Sequence, residues 1–402
     1  MNPLPDEDDD DCQTDDTEDL LLICLMRRNR RYIHSRYAKT YYRALSAIER
    51  RRRRRTIPRT CLPNIEDSSW RTLYAASDDS ALITLTGLDH EAFNHLNEKF
   101  QSLFDQFSPY ASNGSIVKLS EGTVRRGRRR CMDSKDCLGL VLAWTRTRGS
   151  MFVLQMIFGM GSSVVSLYIR FGRRLLIQVL KSDRHARVQI PSEEKIAQYK
   201  AAVKQLHPTL DGVWLTMDGL KLYLQQSPDS VVQNRYYNGW THDHYVTNVL
   251  GFAPDGTIPV CCTNVPGCIH DSTVAEWGDI YSKLENVYIR NGGKVTVDSA
   301  FSKKKYDFLI KSSQTLPGTA EEIVVNEEAT SMRQSAEWGM RAFQASFPRI
   351  KDRLIYEEQG ERRLILKMLV LLYNYRANTV GINQIRNHYM PSLESTGNIY
   401  QY

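Results

Sequence analysis

The chain has 402 residues, of which 42% are hydrophobic, and it carries six Trp, 21 Tyr and 12 Phe. This composition is typical of a globular protein with a sizeable core and excludes a chain that is disordered throughout. The length exceeds that of one ordinary domain, so at least two folded units are expected. No run of about 18 apolar residues occurs, because the best candidate, residues 364–372, is short and contains Lys367, so a soluble protein without membrane contact is predicted.

Charge is segregated along the chain, and this is more informative than the formal net charge of +7. The first 19 residues carry ten acids and no base, whereas residues 27–59 carry fourteen Lys or Arg and one acid. The basic segment includes the unbroken run Arg50, Arg51, Arg52, Arg53, Arg54 and Arg55. Such an arm can bind phosphate backbones and act as a nuclear import signal, although a solvated tail has the same composition. Residues 1–75 are therefore predicted to be a mostly disordered arm, first acidic and then basic.

Eight cysteines occur without a preceding signal peptide, which favours a reducing compartment and free thiols. Cys261, Cys262, Cys268 and His270 lie close together in sequence, but their spacing is not that of a structural zinc site. Zinc is therefore not predicted at these residues.

Residues 76–190 are predicted to form a helical, helix-turn-helix-like DNA-binding domain. In its first part, apolar residues from Phe93 to Phe107 recur at spacings of three and four, which indicates an amphipathic helix with Asp89 as its cap. A later helical block extends over residues 136–180.

Within that block, breaks at Gly149 and at residues 159–161 divide a first helix, a short helix and a long helix. The short helix, the glycine turn and the long helix have the layout of a helix-turn-helix. Two serines are predicted to cap the long helix. An ordinary three-helix bundle fits the same spacing and is favoured by spacing alone, but the arginines of the long helix support DNA contact. The residues predicted to contact DNA here are Ser162, Ser163, Arg170, Arg173 and Arg174.

Residues 191–345 have the pattern of a mixed α/β domain, and residues 346–402 are predicted to add helices that pack on it. Three strands come first, and the pair Asp255 and Gly256 predicts a hairpin between the second and the third. The later predicted elements are a helix at 270–288, a strand at 292–301, a helix at 303–312, a strand-like segment at 321–325 and a helix at 335–347. This order predicts a mixed sheet flanked by helices.

Acidic residues fall on several of these elements. Asp218 lies within the first strand, Asp298 at the end of the fourth, and Glu337 on the last helix. Asp271 lies near the start of the intervening helix. If the first and fourth strands are neighbours, the carboxylates converge. A chain with 46 acids contains accidental trios, but an acid inside an apolar strand is seldom there for stability.

Carboxylates buried side by side are costly unless cations neutralise them. Mg²⁺ prefers carboxylate oxygens, and two ions about 3.5–4 Å apart can clamp the attacking and leaving oxygens of an in-line displacement at phosphorus. Asp218, Asp298 and Glu337 are therefore candidate catalytic residues. These three and Asp271 are candidate ligands of two Mg²⁺ or Mn²⁺ ions, with a helix cap as the alternative role for Asp271.

Several motifs in order resemble the PIF/Harbinger DDE transposases and host proteins derived from them, over roughly residues 89–378. They are "LTMDGLKL" with Asp218, "YYNGW", "VPGCIHDS" with Asp271, "VDSAF" with Asp298, "RQSAEWGMRAF" with Glu337, and "LLYN". Intervals of 53, 27 and 39 residues between the four acids fit the order and rough spacing of that family.

The resemblance implies a ribonuclease H-like catalytic domain that cleaves double-stranded DNA at transposon terminal repeats and joins it to a target site. It also implies residence in the nucleus and a Myb-like DNA-binding partner protein, and it is compatible with a homo-oligomer. The alternative is a domesticated derivative that binds or cuts DNA without transposition. Ala300, Phe301 and Tyr373 depart from the usual family residues, whereas all four acids are present, which favours an active nuclease.

Overall fold

Helices build the part of the chain that precedes the large sheet. The computed structural model describes residues 57–110, 117–118, 129–148, 150–301, 306–311, 319–355 and 359–391, so the arginine run at residues 50–55 lies outside it. The helices of this part are α1 (Ser69–Ala75), α2 (Asp79–Thr86), α3 (His90–Gln106), α4 (Ser134–Arg146), α5 (Phe152–Phe158), α6 (Ser162–Ser182) and α7 (Glu193–Leu206). Shorter elements are the 3-10 helices Arg59–Cys61 and Arg184–Ala186 and the paired strands β1 (Phe107–Ser108) and β2 (Val117–Lys118).

Folded structure begins earlier than predicted, because α1 and the 3-10 helix before it lie within the expected disordered arm. Trp70 of α1 is only 2% exposed, its Nε1 donates to Asp136 Oδ1 at 2.9 Å, and its ring stacks on Phe158. Gly139 of α4 faces the same indole, and an added Cβ there would come within 2.3 Å of it. Burial of this one large side chain therefore ties α1 to α4 and α5.

The helix pattern predicted for this region is confirmed in outline. Asp89 caps α3 by accepting a backbone N–H at 2.8 Å. Helices α5 and α6 are bent by 90° at the glycine break, where Gly159 has a φ of 61°. The N-cap of α6 is Gly161, without a side-chain hydrogen bond, so the predicted capping by Ser162 and Ser163 is wrong. A DNA-binding role for this helix pair stays a prediction.

The mixed sheet predicted after residue 191 is confirmed. Its strands among the described residues are β3 (Val213–Tyr223), β4 (Tyr237–Asn238), β5 (Asp243–Phe252), β6 (Val260–Pro266), β7 (Lys294–Val297) and β8 (Leu309–Lys311). Strand β5 is antiparallel to β3 and β6, whereas β7 is parallel to β3 and β8 is parallel to β7. The order across the sheet is β6-β5-β3-β7-β8, and β4 pairs with the start of β5. Strand β3, which carries Asp218, and strand β7, which ends just before Asp298, are therefore direct neighbours.

The predicted hairpin between β5 and β6 is confirmed. Gly256 has a φ of 81°, which favours glycine, and its N–H donates to the Ala253 carbonyl at 2.8 Å. The Asp255 carboxylate accepts from the Thr257 N–H at 3.0 Å and forms an ion pair with Lys195 of α7 at 2.7 Å. The turn is thus fixed both by its own backbone and by a helix packed beside it.

The helices from the sheet onward are α8 (Ser230–Tyr236), α9 (Asp271–Trp277), α10 (Ile280–Asn291), α11 (Ala320–Ser346), α12 (Gln359–Thr379) and α13 (Gln384–Tyr389), with a 3-10 helix at Pro348–Lys351. Two predictions are wrong here. The described end of the helix expected at 303–312 is strand β8, because these residues pair with β7. The strand-like segment 321–325 lies in α11, where Thr319 and Glu322 form a capping box that outweighs the local β propensity.

Helices cover both faces of the sheet. One apolar cluster joins Met217 of β3 to Leu284 of α10, and the other joins Leu220 of the same strand to Met332 of α11. The second cluster continues into α3 through Leu96, so the helical region and the sheet share a core. Residues 58–402 form one compact unit. The division at residues 76–190, 191–345 and 346–402 stays a prediction.

No single helix among the described residues is long and apolar enough to cross a membrane. Helices α5 and α6 reach that length and composition only as a pair, which is bent by 90° at the break between them.

Candidate active site

Strand register brings Asp218 and Asp298 together. Met217 of β3 lies opposite Val297 of β7 in the parallel pair, so the next residue of each chain segment emerges at the same place. Asp218 lies two residues before Leu220 on β3, so the two side chains point to the same face of the sheet, which is the face that α11 covers. Asp298 follows the carboxyl end of β7, and its side chain is 38% exposed. The register confirms that the two strands are neighbours and sets the two acids at adjacent positions, and their role as metal ligands stays a prediction.

Asp271 lies on the other side of β3, against its backbone. It is in the first turn of α9, whose N-cap is His270, so the alternative of Asp271 as the N-cap is wrong. A Cβ placed on Gly219 would come within 2.3 Å of Asp271 Oδ2 and 2.9 Å of Oδ1. The absence of a side chain at Gly219 therefore lets this carboxylate approach the β3 backbone next to Asp218, from the opposite face of the sheet.

Glu337 reaches the cluster from α11, and an arginine links it to the strand acids. Arg333 Nη1 lies 3.5 Å from Glu337 Oε1, one helical turn away, and 3.8 Å from Asp298 Oδ1. A second arginine, Arg341, lies 3.9 Å from Glu337 Oε2 but is 79% exposed. Arg333 is thus the cation that bridges the helix acid and the acid at the end of β7.

The site holds more negative charge than its cations offset. The pKa of Asp218 is raised to about 6, mainly by burial and also by the carboxylates of Asp298 and Asp271, against the Gly219 N–H and Arg333, which lower it. Burial also raises the pKa of Asp271, an effect that Lys221 opposes and Asp298 reinforces. An environment that disfavours carboxylate charge in this way is suited to bind additional cations.

Gly219 and Lys221 contribute to the site without having been predicted from the sequence. Gly219 could have been found from the sequence, because a glycine inside a strand commonly marks a place where another group approaches the backbone closely. Lys221 offered no local signal, because it looks like an ordinary exposed residue of an alternating strand. Its ammonium lies 5.4 Å from the centroid of the Tyr245 ring.

The residues predicted to contact DNA are not brought to this cluster as a group. Arg173 and Arg174 of α6 form ion pairs with Glu361 of α12 at 3.3 and 3.0 Å. Arg170 and Ser163 are exposed, and Ser162 is half-buried. Ion pairing within the protein gives Arg173 and Arg174 a structural role, which the charge pattern of one helix could not reveal.

Two family-like motifs occupy different environments. In "LLYN", Asn374 donates to the Ile258 carbonyl at 2.9 Å and accepts the Ile258 N–H at 2.7 Å, so it braces the β5–β6 hairpin. In "YYNGW", the Trp240 side chain is 91% exposed, and the backbone N–H of Trp240 donates to Asn238 Oδ1 at 3.0 Å. Asn238 in turn donates to the Gly267 carbonyl at 2.7 Å, which fixes this turn to the loop that leads into α9.

A second cluster lies in the helical region. His95, Asp183 and His185 each offer one ligand atom, and these atoms lie within 4.8 Å of one another, a grouping that could hold a metal ion. This cluster was not predicted from the sequence. His95 lies 88 residues before Asp183 and 90 before His185, and the pair Asp183 and His185, with one residue between them, is not a known metal-binding spacing.

Comparison with known proteins agrees with the acidic cluster. A search of curated proteins and a search of solved structures each gave no match to the chain. Residues 217–374 match the family described as DDE superfamily endonuclease. The matched segment contains Asp218, Asp271, Asp298 and Glu337. The match supports a DDE-type endonuclease domain, for which DNA is the implied substrate and nuclease or transposase activity the suggested function.

Proposed function

We propose that the chain is a PIF/Harbinger-type DDE transposase that cleaves and rejoins double-stranded DNA at transposon ends. In this proposal Asp218, Asp298 and Glu337 are the catalytic residues. The observation that carries it is the register of β3 and β7, which sets Asp218 and Asp298 side by side, within the segment that matches the endonuclease family. Glu337 is linked to the same place through Arg333.

The donor set fits hard divalent cations. Asp218, Asp271, Asp298 and Glu337 offer only carboxylate oxygens, the ligand type that Mg²⁺ and Mn²⁺ prefer. Burial, and after it the charges of Asp298 and Asp271, raise the pKa of Asp218, so a bound cation would stabilise its ionised form. When bound, two such ions would stabilise the oxygens that attack and leave phosphorus.

The elements that carry the acids hold the carboxylates in place. Asp218 is held within β3, between two neighbouring strands, so its place is set by the sheet. Glu337 lies inside a helix of 27 residues, which is a rigid support for a ligand. We assign Arg333 the role of a phosphate contact, because its guanidinium can exchange the Asp298 and Glu337 carboxylates for a substrate phosphate once cations neutralise the acids.

DNA contact near the site is assigned to Trp240. An exposed aromatic ring on a hydrogen-bonded turn is a stacking surface for an unpaired base. The turn is bonded to the loop before α9, and that helix carries Asp271 in its first turn. A base stacked on Trp240 would thus be held next to the acidic cluster.

The finer assignments rest on motifs and sheet order. The strand order, three antiparallel strands followed by two parallel ones, supports a ribonuclease H-like domain. The motif resemblance supports the PIF/Harbinger subtype, terminal-repeat recognition and a Myb-like partner, and it is compatible with a homo-oligomer. The basic arm at residues 27–59 supports DNA binding and residence in the nucleus. The helix pair α5 and α6 supports a helix-turn-helix role through the exposed Arg170.

The alternative is a domesticated derivative that binds DNA, or cuts it without transposition. Phe301 and Tyr373, which depart from the usual family residues, are buried at 0% and 3% exposure. Tyr373 packs edge-on against Phe252 and Phe343. These departures therefore act in packing and leave the four acids in place.

The experiment is cleavage of DNA that carries the element's own ends, with the purified chain and with or without Mg²⁺ or Mn²⁺. Asp218→Asn, Asp298→Asn and Glu337→Gln are each expected to abolish cleavage while DNA binding is retained. Asp211→Asn is the matched control, because Asp211 is exposed and forms an ion pair with Lys204 before β3 begins. Cleavage that persists in any of the three variants contradicts the catalytic assignment.

A further inference from the structure

The helical region contains two imidazoles and one carboxylate at the junction of three elements. His95 lies on α3, Asp183 is the C-cap of α6, and His185 belongs to the 3-10 helix that follows. His95 Nε2 lies 3.7 Å from Asp183 Oδ2, and His185 Nδ1 lies 3.4 Å from Asp183 Oδ1. The carboxylate therefore presents one oxygen to each imidazole.

The spacing is close to that of a tetrahedral metal site. Bonds of about 2.0–2.1 Å to nitrogen and oxygen place neighbouring ligand atoms roughly 3.3 Å apart. The two distances to Asp183 are within a few tenths of an ångström of this value, and the full set lies within 4.8 Å. A set of two imidazoles and one carboxylate suits zinc-class ions, whereas Mg²⁺ prefers oxygen ligands alone.

Lys99 shows that a cation is already favoured at this point. Its Nζ donates to Asp183 Oδ2 at 2.5 Å and lies 3.1 Å from His95 Nε2. An ammonium group has donors only, so His95 Nε2 must accept, which means that its lone pair points toward the cation. The Lys99 side chain is 41% exposed and can swing into solvent without repacking the core.

His185 must change tautomer before it can ligate an ion. Arg184 Nε donates to His185 Nε2 at 3.2 Å, so in the ion-free chain Nε2 accepts and Nδ1 carries the ring proton, and binding of an ion at Nδ1 would move that proton to Nε2 and open the Arg184 contact. The other ring nitrogen, Nδ1, is buried and has no hydrogen-bond partner among the described residues. The Asp183 side chain, at 0% exposure, needs positive charge nearby, since an unpaired buried carboxylate is strongly unfavourable.

We propose that His95, Asp183 and His185 bind a zinc-class divalent ion, which displaces the Lys99 ammonium and leaves a fourth position for water. The ion would join α3 to the end of α6 and to the 3-10 helix. Asn378 of α12 already donates to the His185 carbonyl at 2.8 Å, so the same junction extends to a fourth element. The site is structural, and it is separate from the Asp218, Asp298 and Glu337 cluster in both position and metal preference.

The test is titration of the metal-stripped full chain with Co²⁺, whose visible spectrum reports tetrahedral coordination, followed by competition with Zn²⁺. The wild type is expected to bind one such ion without a thiolate charge-transfer band. His95→Gln should lose it, and Asp298→Asn should keep it, which separates this site from the acidic cluster. Lys99→Met should bind Co²⁺ at least about tenfold more tightly, because the competing ammonium is gone.

Thermal unfolding keeps the test decisive if a variant is less stable. Lys99→Met is expected to melt at a lower temperature than the wild type in EDTA, because Asp183 loses its counter-charge, and Zn²⁺ should restore the melting temperature. Any of four results would overturn the proposal and leave an ordinary Lys99–Asp183 ion pair. They are a melting temperature of Lys99→Met that Zn²⁺ does not restore, an unchanged Co²⁺ affinity of Lys99→Met, undiminished Co²⁺ binding by His95→Gln, and a thiolate charge-transfer band.

Discussion

Gly219 and Asp271 are in such close contact that the strand residue cannot carry a side chain without moving the acid. An added Cβ would lie 2.3 Å from Asp271 Oδ2 and 2.6 Å from Cγ. A glycine inside a strand lowers the stability of that strand, so Gly219 destabilises β3 locally. The contact explains why a glycine is nevertheless present, because it lets an acid of α9 reach the strand that carries Asp218.

Gly219→Ala is therefore expected to leave the protein folded but to push the Asp271 carboxylate away from Asp218. A displaced ligand of a metal site commonly costs about 10–100-fold in affinity or activity. DNA cleavage at limiting Mg²⁺ measures the loss. Gly360→Ala is the control, since a Cβ there meets nothing within 4 Å. Equal activity of the two variants would remove Asp271 from the site.

Arg333→Gln is expected to tighten divalent-ion binding and to slow cleavage. The guanidinium lies 3.8 Å from Asp298 and 3.5 Å from Glu337, so it repels incoming cations, whereas in the reaction it is assigned to the substrate phosphate. Calorimetric Mn²⁺ titration and single-turnover cleavage measure the two effects. Arg341→Gln, at an arginine that is 79% exposed, should change neither. Weaker Mn²⁺ binding in Arg333→Gln would contradict this account.

Asp218→Asn is expected to stabilise the chain in EDTA at pH 7. Its folded pKa of about 6 lies above the ordinary value of 3.8, so the folded state holds the proton more tightly than the unfolded state does. Stability therefore falls as the pH rises from about 3.8 to about 6 and stays lower above that, by up to about 3 kcal/mol. The variant should show a flatter pH profile in urea unfolding.

Asp255→Asn is the contrasting variant in the same experiment. Burial raises the pKa of Asp255, but Lys195, Thr257 and Tyr199 outweigh it and hold the pKa below its ordinary value. The ionised form is thus the stable one, and its contribution is lost as the pH falls. Asp255→Asn should destabilise the chain at pH 7. A stability change of the same sign in both variants would contradict the electrostatic account of Asp218.

Trp240→Ala is expected to weaken binding to single-stranded or gapped DNA by about 1–3 kcal/mol, the usual contribution of one stacked base. Its melting temperature should be unchanged, because the side chain is 91% exposed. Fluorescence anisotropy measures the affinity. Ile289→Ala is the control, because Ile289 is 73% exposed and lies before the start of β7, at the end of that strand away from Asp298. Equal affinities would exclude a stacking role.

The acids were predictable because their placement follows from local rules. Asp218 interrupts an apolar strand, and Asp298 ends another, so parallel pairing of the two strands was enough to bring them together. The Asp255–Gly256 hairpin was predictable for the same reason, since turn chemistry is local. The family-like motifs added Glu337, whose position on α11 has no local signature.

The errors all depend on contacts distant in sequence. Strand β8 was predicted as helix, but its pairing with β7 decides its conformation. Trp70 folds the segment expected to be disordered, because its indole is buried between α4 and α5. The ion pairs of Arg173 and Arg174 with Glu361, nearly 190 residues away, were likewise not foreseen, and DNA contact by these arginines stays a prediction. Tertiary partners of this kind are invisible to patterns read along one helix or strand.

The central claim is that the acids on β3, β7, α9 and α11 form a divalent-ion site. Electron paramagnetic resonance of Mn²⁺ counts the ions bound, and a His95→Gln background removes the contribution expected from the second cluster. In that background we expect two Mn²⁺ ions per chain, and loss of tight binding when Asp298→Asn is added. Undiminished Mn²⁺ binding in the combined variant would contradict the claim.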